Sequence, residues 1–538
     1  MVTGARVVSE RRATRPAAQQ PDEPDASARS WLVVFGAVLV AAVPLILYQG
    51  RDQWFYFDEF DFLTDRSFSP HDLLRPHNEH WSTLPIVAYR VLFKLFGLTT
   101  YVPYQLAVLV LHLALAALLW HLMRSHHVRP WLATLVASAF VLLGSGREDI
   151  VWGFQIGFVG ALLLGLGQLA LVDHDGRWSR RDTAGLVCGA LALLCSGVAV
   201  TTVFVVGVAT LLRRGWRIAA LQTAPLAAAF GVWWLAVGRD GYTESHAGVG
   251  DTLGFVRTDL WDAFAKLGQV GPVAIGLAAL LVGGLALAVT GASRQERRTE
   301  LAAPGALVVG AVFFLAVSGF GRAALTFIVD ERQSRYVHIV VALLAVPLAV
   351  AAEAVLRRWR HSVWLVVPLL LAGVPGNVDA FSASGTVRLT LGNPAAVQAL
   401  ASDPLLASEP REDTPNLFTY GPMTVGWLRD GEASGRIPHT ASVGASTRAA
   451  ATLQLALQQQ ADEPDGASCR VLDHNEVLEL HQGDRFRLAV DPFANIRLVE
   501  SGQPIGGASY GMMFGHTFVV RAPVSVIIEG GPSVGYCT

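Results

Sequence analysis

Residues 31–66 read WLVVFGAVLVAAVPLILYQGRDQWFYFDEFDFLTDR. The first part, 31–49, is apolar and uncharged, long enough to cross a bilayer. Four aromatic residues follow, Trp54, Phe55, Tyr56 and Phe57, as at a membrane–water interface. Then come Asp58, Glu59 and Asp61, with Asp65 beyond them. Carboxylates held at a membrane surface are costly to desolvate, so a cluster of them marks function more often than solvation. The stretch therefore reads as a first span followed by an acidic loop.

The rest of the chain agrees with a membrane class. Of 538 residues, 52% are hydrophobic and only 16% charged, and the mean hydropathy is +0.42. A soluble domain is nearer a quarter charged. The net charge of −2 gives no sign of nucleic-acid binding. Lys94 and Lys266 are the only lysines. With abundant Ala, Val and Gly, this composition points to a GC-rich bacterial source. Residues 1–30 read as a disordered cytoplasmic tail, and 31–49 as an uncleaved anchor, because further spans follow.

Apolar runs lie at 31–49, 101–123, 131–144, 151–172, 183–196, 197–212, 217–237, 271–290, 302–320, 336–356 and 362–374. About eleven membrane helices are thus expected in a domain spanning 31–375. Arginines cluster in alternate connections: Arg124 and Arg129; Arg177, Arg180 and Arg181; Arg213, Arg214 and Arg217; Arg294, Arg297 and Arg298; Arg357, Arg358 and Arg360. The positive-inside rule puts these and the N-terminus in the cytoplasm. The loops at 50–100, 145–150, 238–270 and 321–335, and everything after 375, then face outward from a bacterial plasma membrane. Residues 183–212 have arginines at both ends. A short helical hairpin broken at Ser196-Gly197 satisfies the charge rule; one long tilted helix is the alternative.

After the spans, 376–467 reads as mixed, helix-like pieces and 468–538 as short strands of a β-sandwich-like, extracytoplasmic domain. Cys469 opens this domain and Cys537 closes it, so a disulfide between them is expected in an oxidising compartment. Cys188 and Cys195 lie in an apolar run and read as packing residues. No Cys/His spacing of metal-site type and no internal repeat occurs.

Candidate chemical residues gather in the outward loops. If 58–65 is helical, Asp58, Asp61 and Asp65 share a face. Asp58, Glu59 and Asp61 are the candidate catalytic acids or bases; capping and solvating a short helix is the plainer alternative. From Trp81, the residues Leu84, Val87, Val91, Leu92 and Leu95 make the apolar stripe of an amphipathic helix lying on the membrane. His77, Glu79 and His80 stand at its head as candidate substrate contacts. They do not form HExxH, and a helix cap with exposed histidines reads equally well. In the next loop Glu148 and Asp149 are either helix N-terminal acids or a second acidic pair. Trp152 and Gln155 are candidate sugar contacts or members of the aromatic belt. Arg332 and Arg335, with Tyr336, sit outside in a chain that keeps arginine inside, and guanidinium groups bind phosphate by paired hydrogen bonds. Ion pairing with Asp330 or Glu331 is the alternative.

In these features the chain resembles the GT-C class of integral membrane glycosyltransferases, and among them the bacterial members that use polyprenyl-phosphate sugars. The resemblance rests on FDEFD after the first span, the amphipathic helix, the hairpin at 183–212 and the late SRY with its arginines. It covers about residues 30–375. It implies inverting transfer of a hexosyl or pentosyl unit from a polyprenyl-phosphate donor to a cell-wall glycan, lipid or protein acceptor. Asp58 best matches the first-loop base, Arg332, Arg335 and Tyr336 the donor-phosphate group, and no metal cofactor is implied. A transporter or flippase of lipid-linked glycan, with inverted repeats and mid-span charges, and a non-catalytic envelope assembly protein are the competing readings.

Overall fold

The computed structural model describes residues 26–55, 58–241, 247–323, 332–382, 394–415, 423–438, 443–460, 468–473, 475–490, 493–512, 515–530 and 534–538. The expected N-terminal tail lies outside these residues up to position 25.

Helix α1 (Ala26–Gln49) leads to three shorter helices at one end of a bundle, α2 (Asp58–Thr64), α3 (Pro70–Leu74) and α4 (Thr83–Phe96). The bundle continues with α5 (Val102–Ser125), α6 (Pro130–Val141), the single turn α7 (Glu148–Val151), α8 (Ile156–Val172), α9 (Arg180–Leu193), α10 (Val198–Arg214) and α11 (Trp216–Ala236). It closes with α12 (Val249–Gly268), α13 (Gly271–Gly291), α14 (Arg294–Thr299), α15 (Ala302–Arg322), α16 (Arg332–Arg358), α17 (Val363–Leu371) and α18 (Val374–Ala380). Among the described residues, eight helices are long and apolar enough to cross a membrane. The chain is a polytopic helical membrane protein. Each apolar run is helical; those at 131–144, 183–196 and 197–212 are shorter than the eight.

Helix α16 is the centre. It is buried along nearly its whole length and packs against α5, α6, α12, α13 and α15. Small residues allow the closest approach. At Gly284 of α13 a Cβ would sit 2.5 Å from the carbonyl oxygen of Ala351, so only glycine fits that crossing.

Residues 183–212 are a hairpin. Helices α9 and α10 are separate, and Arg214 at the end of α10 ion-pairs with Asp182 at the start of α9. Arg213 pairs with Asp173 at 2.8 Å. Bringing both arginine-flanked ends together excludes one long helix. The turn at 194–197 then lies at the opposite end, where Leu194 accepts a hydrogen bond from the Leu84 N–H at 2.9 Å.

Two expectations change. The loop expected at 238–270 contains α12. Asp251, Arg257, Asp259, Asp262 and Lys266 hide this helix from a hydropathy reading, yet Ala263 and Phe264 are buried in the core it shares with α13, α15 and α16. On α4, Ile86, Tyr89 and Phe93 turn inward, while Val91 and Leu95 of the expected apolar stripe stay exposed. A stripe left unpacked on an otherwise docked helix suits contact with lipid.

Among the described residues, the C-terminal part has α19 (Pro394–Ala401), α20 (Val425–Ala433), α21 (Ala445–Ala456) and nine strands: β1 (Leu457–Gln460), β2 (Cys469–Val471), β3 (Leu478–Leu480), β4 (Arg485–Ala489), β5 (Phe493–Glu500), β6 (Gln503–Gly511), β7 (Thr517–Val520), β8 (Val524–Glu529) and β9 (Gly535–Cys537). They form two antiparallel sheets, ordered β1-β7-β4-β9-β2 and β3-β8-β5-β6. Alternating burial along β3, β4 and β5 fills the core between the sheets with Leu480, Phe486 and Ile496, and Phe518 of β7 joins them. Leu453 and Ala456 of α21 join that core, so the strand-rich unit reaches upstream of residue 468. Strand β6, with its Gly506-Gly507, lacks a strand-like composition; Gly506 is needed because a Cβ there would meet Ser446 of α21 at 2.5 Å. Cys469 and Cys537 are direct partners across β2 and β9 and form the expected disulfide.

Candidate functional site

Helix α2 divides its acids between two environments. Glu59 is fully buried, and its Oε1 accepts hydrogen bonds from the hydroxyls of Tyr89 at 2.5 Å and Tyr101 at 2.8 Å. Tyr101 in turn accepts the Gly153 N–H at 2.7 Å. Glu59 thus ties α2 to α4, α5 and the entry to α8, which suits an anchor. Asp58 and Asp61 point the other way, with side chains 17% and 33% exposed. Asp65, just past the helix, pairs with Arg75 at 2.7 Å.

Asp58 and Asp61 converge on His77. His77 Nε2 lies 3.6 Å from Asp58 Oδ1, and Nδ1 lies 3.7 Å from Asp61 Oδ2. The ring is 5% exposed and packs edge-on against Phe62 at 4.9 Å and Phe154 at 5.4 Å. Burial, with the charges of Asp58 and Asp65 adding and His77 opposing, pushes the Asp61 carboxyl above the usual carboxylate range.

The loop that delivers His77 is pinned by Arg66. Its buried guanidinium donates to the carbonyls of Asp72 at 3.0 Å, Arg75 at 2.8 Å and Pro76 at 2.7 Å. His77 and His80 then exchange backbone hydrogen bonds, both 3.0 Å, around a tight turn with Asn78 in a left-handed conformation at φ 50°. Asparagine tolerates that conformation better than most residues. Gly241 backs the turn: a Cβ there would lie 1.9 Å from the Asn78 carbonyl oxygen.

The rest of the turn faces the helix ends. Glu79 pairs with Arg322 of α15 at 2.7 Å. His80 Nδ1 accepts the Gly197 N–H at the hairpin tip at 3.3 Å, and burial, against the raising charge of Glu79, pushes His80 down to about 4. His80 is therefore neutral near pH 7.

No family model and no curated protein matches this chain. The site must be read from its own chemistry.

Around α7 the two acids separate. Glu148 pairs with Arg335 Nε at 3.0 Å, and Arg335 also lies 6.0 Å from the Trp152 ring. Trp152 stacks on Phe154, which also packs against Phe62 and His77, so an aromatic wall connects the arginine to the aspartates. Tyr336 is buried between Phe255 and Phe314, and Arg322 interacts with its hydroxyl. Gln155 is buried, with neither amide atom hydrogen-bonded. The side chain of Arg332, and its suggested partners Asp330 and Glu331, lie outside the described residues.

Asp149 does not face the first acids as a second acidic pair. It is fully buried 3.1 Å from His338 Nδ1, and His338 Nε2 lies 3.0 Å from His112 Nδ1. His112 Nε2 ends the chain 3.2 Å from the Val141 carbonyl. Burial, opposed by Arg335, pushes the Asp149 carboxyl well up. His112 and His338 are fully buried in the apolar stretches of α5 and α16, and only their position inside spans could have flagged them.

The C-terminal segment covers α2 and α4. Trp427 of α20 stacks on Phe93 at 5.5 Å and donates its indole N–H to the Leu63 carbonyl at 3.1 Å. The Leu98 N–H donates to the Arg436 carbonyl at 2.6 Å.

Proposed function

We propose that this protein is a membrane glycosyltransferase that moves a sugar from a polyprenyl-phosphate carrier to an acceptor at the α2 end of the bundle, with inversion. The observation that carries the reading is the convergence of Asp58 and Asp61 on buried His77, joined through Phe154 and Trp152 to Arg335. Transfer to a hydroxyl needs a carboxylate to take the acceptor proton as the anomeric carbon becomes cation-like. Asp58 is the base in this scheme, for it faces away from the Tyr89–Glu59–Tyr101 anchor. Transfer from a phosphate also needs a cation to hold the departing charge. Arg335 meets Glu148 through Nε, and the outer edge of a guanidinium is the part that grips phosphate. Gln155 and Trp152 supply an amide and an indole for sugar hydroxyls and ring.

The arginine clusters lie at the other end of the bundle, where Arg213 and Arg214 tie the hairpin ends and Arg129 and Arg357 pair with Glu353. This supports an outward-facing α2 end. The test is to supply labelled polyprenyl-phosphate sugars to membranes with and without the protein. Donor consumption and label in an acceptor are expected; wild-type membranes that consume none of them would end the reading.

One observation favours a transporter instead. His338 and His112, linked end to end with Asp149 at the head of the chain, put titratable groups inside spans, as proton-coupled carriers do. Liposomes containing the protein would then move a lipid-linked sugar across the bilayer without cleaving it.

A further inference from the structure

We infer that Asp58, Asp61 and His77 form a binding site for a divalent cation of the Mn2+ class. One ligand atom from each of the three lies within 4.8 Å of the others, and among the described residues they are the one group of this kind. His77 is 5% exposed, and its buried Nε2 has no hydrogen-bond partner. Buried polar atoms are nearly always partnered. The nearest acceptor, Asp58 Oδ1 at 3.6 Å, is too far for a hydrogen bond. It is at a suitable distance for two ligands of one ion, since atoms about 2.1 Å from a metal lie roughly 3–3.5 Å apart. An ion between them, with Asp61 as third ligand, gives the orphan nitrogen its partner.

Charge and rigidity point the same way. Among the described residues, neither Asp58 nor Asp61 forms an ion pair with an arginine or lysine; each has its ion-pair contact with His77, while Arg66 acts on Asp61 only through its charge. Two adjoining carboxylates in a partly apolar wall repel each other, and a divalent cation relieves that repulsion. Each ligand is held before any ion arrives. The aspartates are one turn apart on α2, which Glu59 anchors. His77 is fixed by the Arg66 clasp on its loop and by Phe62 and Phe154 against its ring. Two carboxylate oxygens and one imidazole nitrogen make a mixed set that Mn2+ accepts, with coordination positions left over for a phosphate or hydroxyl oxygen. The sequence resemblance implies no metal, so this site departs from it. It stands on geometry and does not depend on sugar transfer. Ligation through Asp58 Oδ1 would leave Oδ2 for the proposed proton transfer.

The test uses the full-length protein in detergent, stripped with chelator and titrated with Mn2+ alone. Loss of the free-ion electron paramagnetic resonance signal should show one bound ion per chain. Nitrogen hyperfine coupling from an imidazole should appear on the bound ion. Asp61→Asn should weaken binding by roughly tenfold or more, and His77→Ala should remove the nitrogen coupling. Glu479→Gln in the distant sandwich should change nothing. No stoichiometric binding by the wild type, or bound Mn2+ without nitrogen coupling, overturns the site. Because the coupling is measured on the wild type, misfolding of a variant cannot decide the result. Because no sugar is present, failure here is separate from failure of the transferase reading.

Discussion

Asp58 and Glu59 adjoin in the chain, yet one side chain turns toward His77 and the other into a pocket of tyrosine hydroxyls. Substitution should separate them. Asp58→Asn keeps size and hydrogen bonding but cannot accept a proton at neutral pH. Turnover with a polyprenyl-phosphate sugar should fall roughly 10²–10⁴-fold, with thermal stability unchanged; normal turnover would remove Asp58 as base. Glu59→Ala should act on stability. It leaves two buried hydroxyls without their acceptor, at about 1–3 kcal/mol each, and should lower the melting temperature of the purified protein. Asp149 gives a pH test. Its folded value is raised, so the folded state holds the proton more tightly than the unfolded chain does. A protonated carboxyl band should persist in the infrared spectrum to higher pH than for an ordinary carboxylate and vanish in Asp149→Asn. Above the raised value the wild type should lose stability relative to that variant. The acids could be read from sequence because they cluster beside a span. The partnership with His77 could not, because His77 lies sixteen positions beyond Asp61 with the short helix α3 in between, and no local period encodes how that connection folds back.

At the scale of elements, the site depends on the connection between α2 and α4, which has only the short helix α3 within it. Arg66 holds three of its carbonyls with one planar guanidinium. Lysine offers a single ammonium and cannot reproduce that fork. Arg66→Lys should therefore reduce transfer while leaving the bundle intact, with helical circular dichroism near wild type; full activity would mean that the clasp is dispensable. The membrane helices were legible because an apolar run long enough for a bilayer has few other uses. Helix α12 was not, since five charged positions dilute its hydropathy and only its packed face reveals it. The hairpin at α9 and α10 was legible for a different reason: arginines at both ends of one apolar stretch conflict with a single crossing. Strand β6 has no strand-like signal in the sequence because Gly506 serves a close approach to α21 and Gly507 one to β5, rather than strand propensity.

At the scale of the whole molecule, the membrane bundle and the sandwich are joined by a segment that belongs to both. Helices α19 and α20 pack into the bundle core, with Trp427 against Phe93. Arg521 of the sandwich pairs with Asp413 at 2.7 Å in the segment between those helices. The C-terminal part therefore sits on the same end as α2, and one measurement of sidedness fixes both. The disulfide supplies it. Cys469 and Cys537 are 68 positions apart in sequence, and closing a loop of that length contributes on the order of 4 kcal/mol by chain entropy if the bond is unstrained. Such bonds form and persist in an oxidising compartment and are reduced in a cytoplasm. Protein extracted from growing cells with thiols blocked should contain the Cys469–Cys537 peptide pair, and a periplasm-active reporter fused after Thr538 should be active. Replacing both cysteines with serine should lower the denaturant midpoint of the sandwich and leave helical content unchanged. Free thiols at both positions, together with a cytoplasm-active reporter, would invert the topology. The α2 site would then face the cytoplasm, and the donor would have to be a carrier whose sugar is presented on that side.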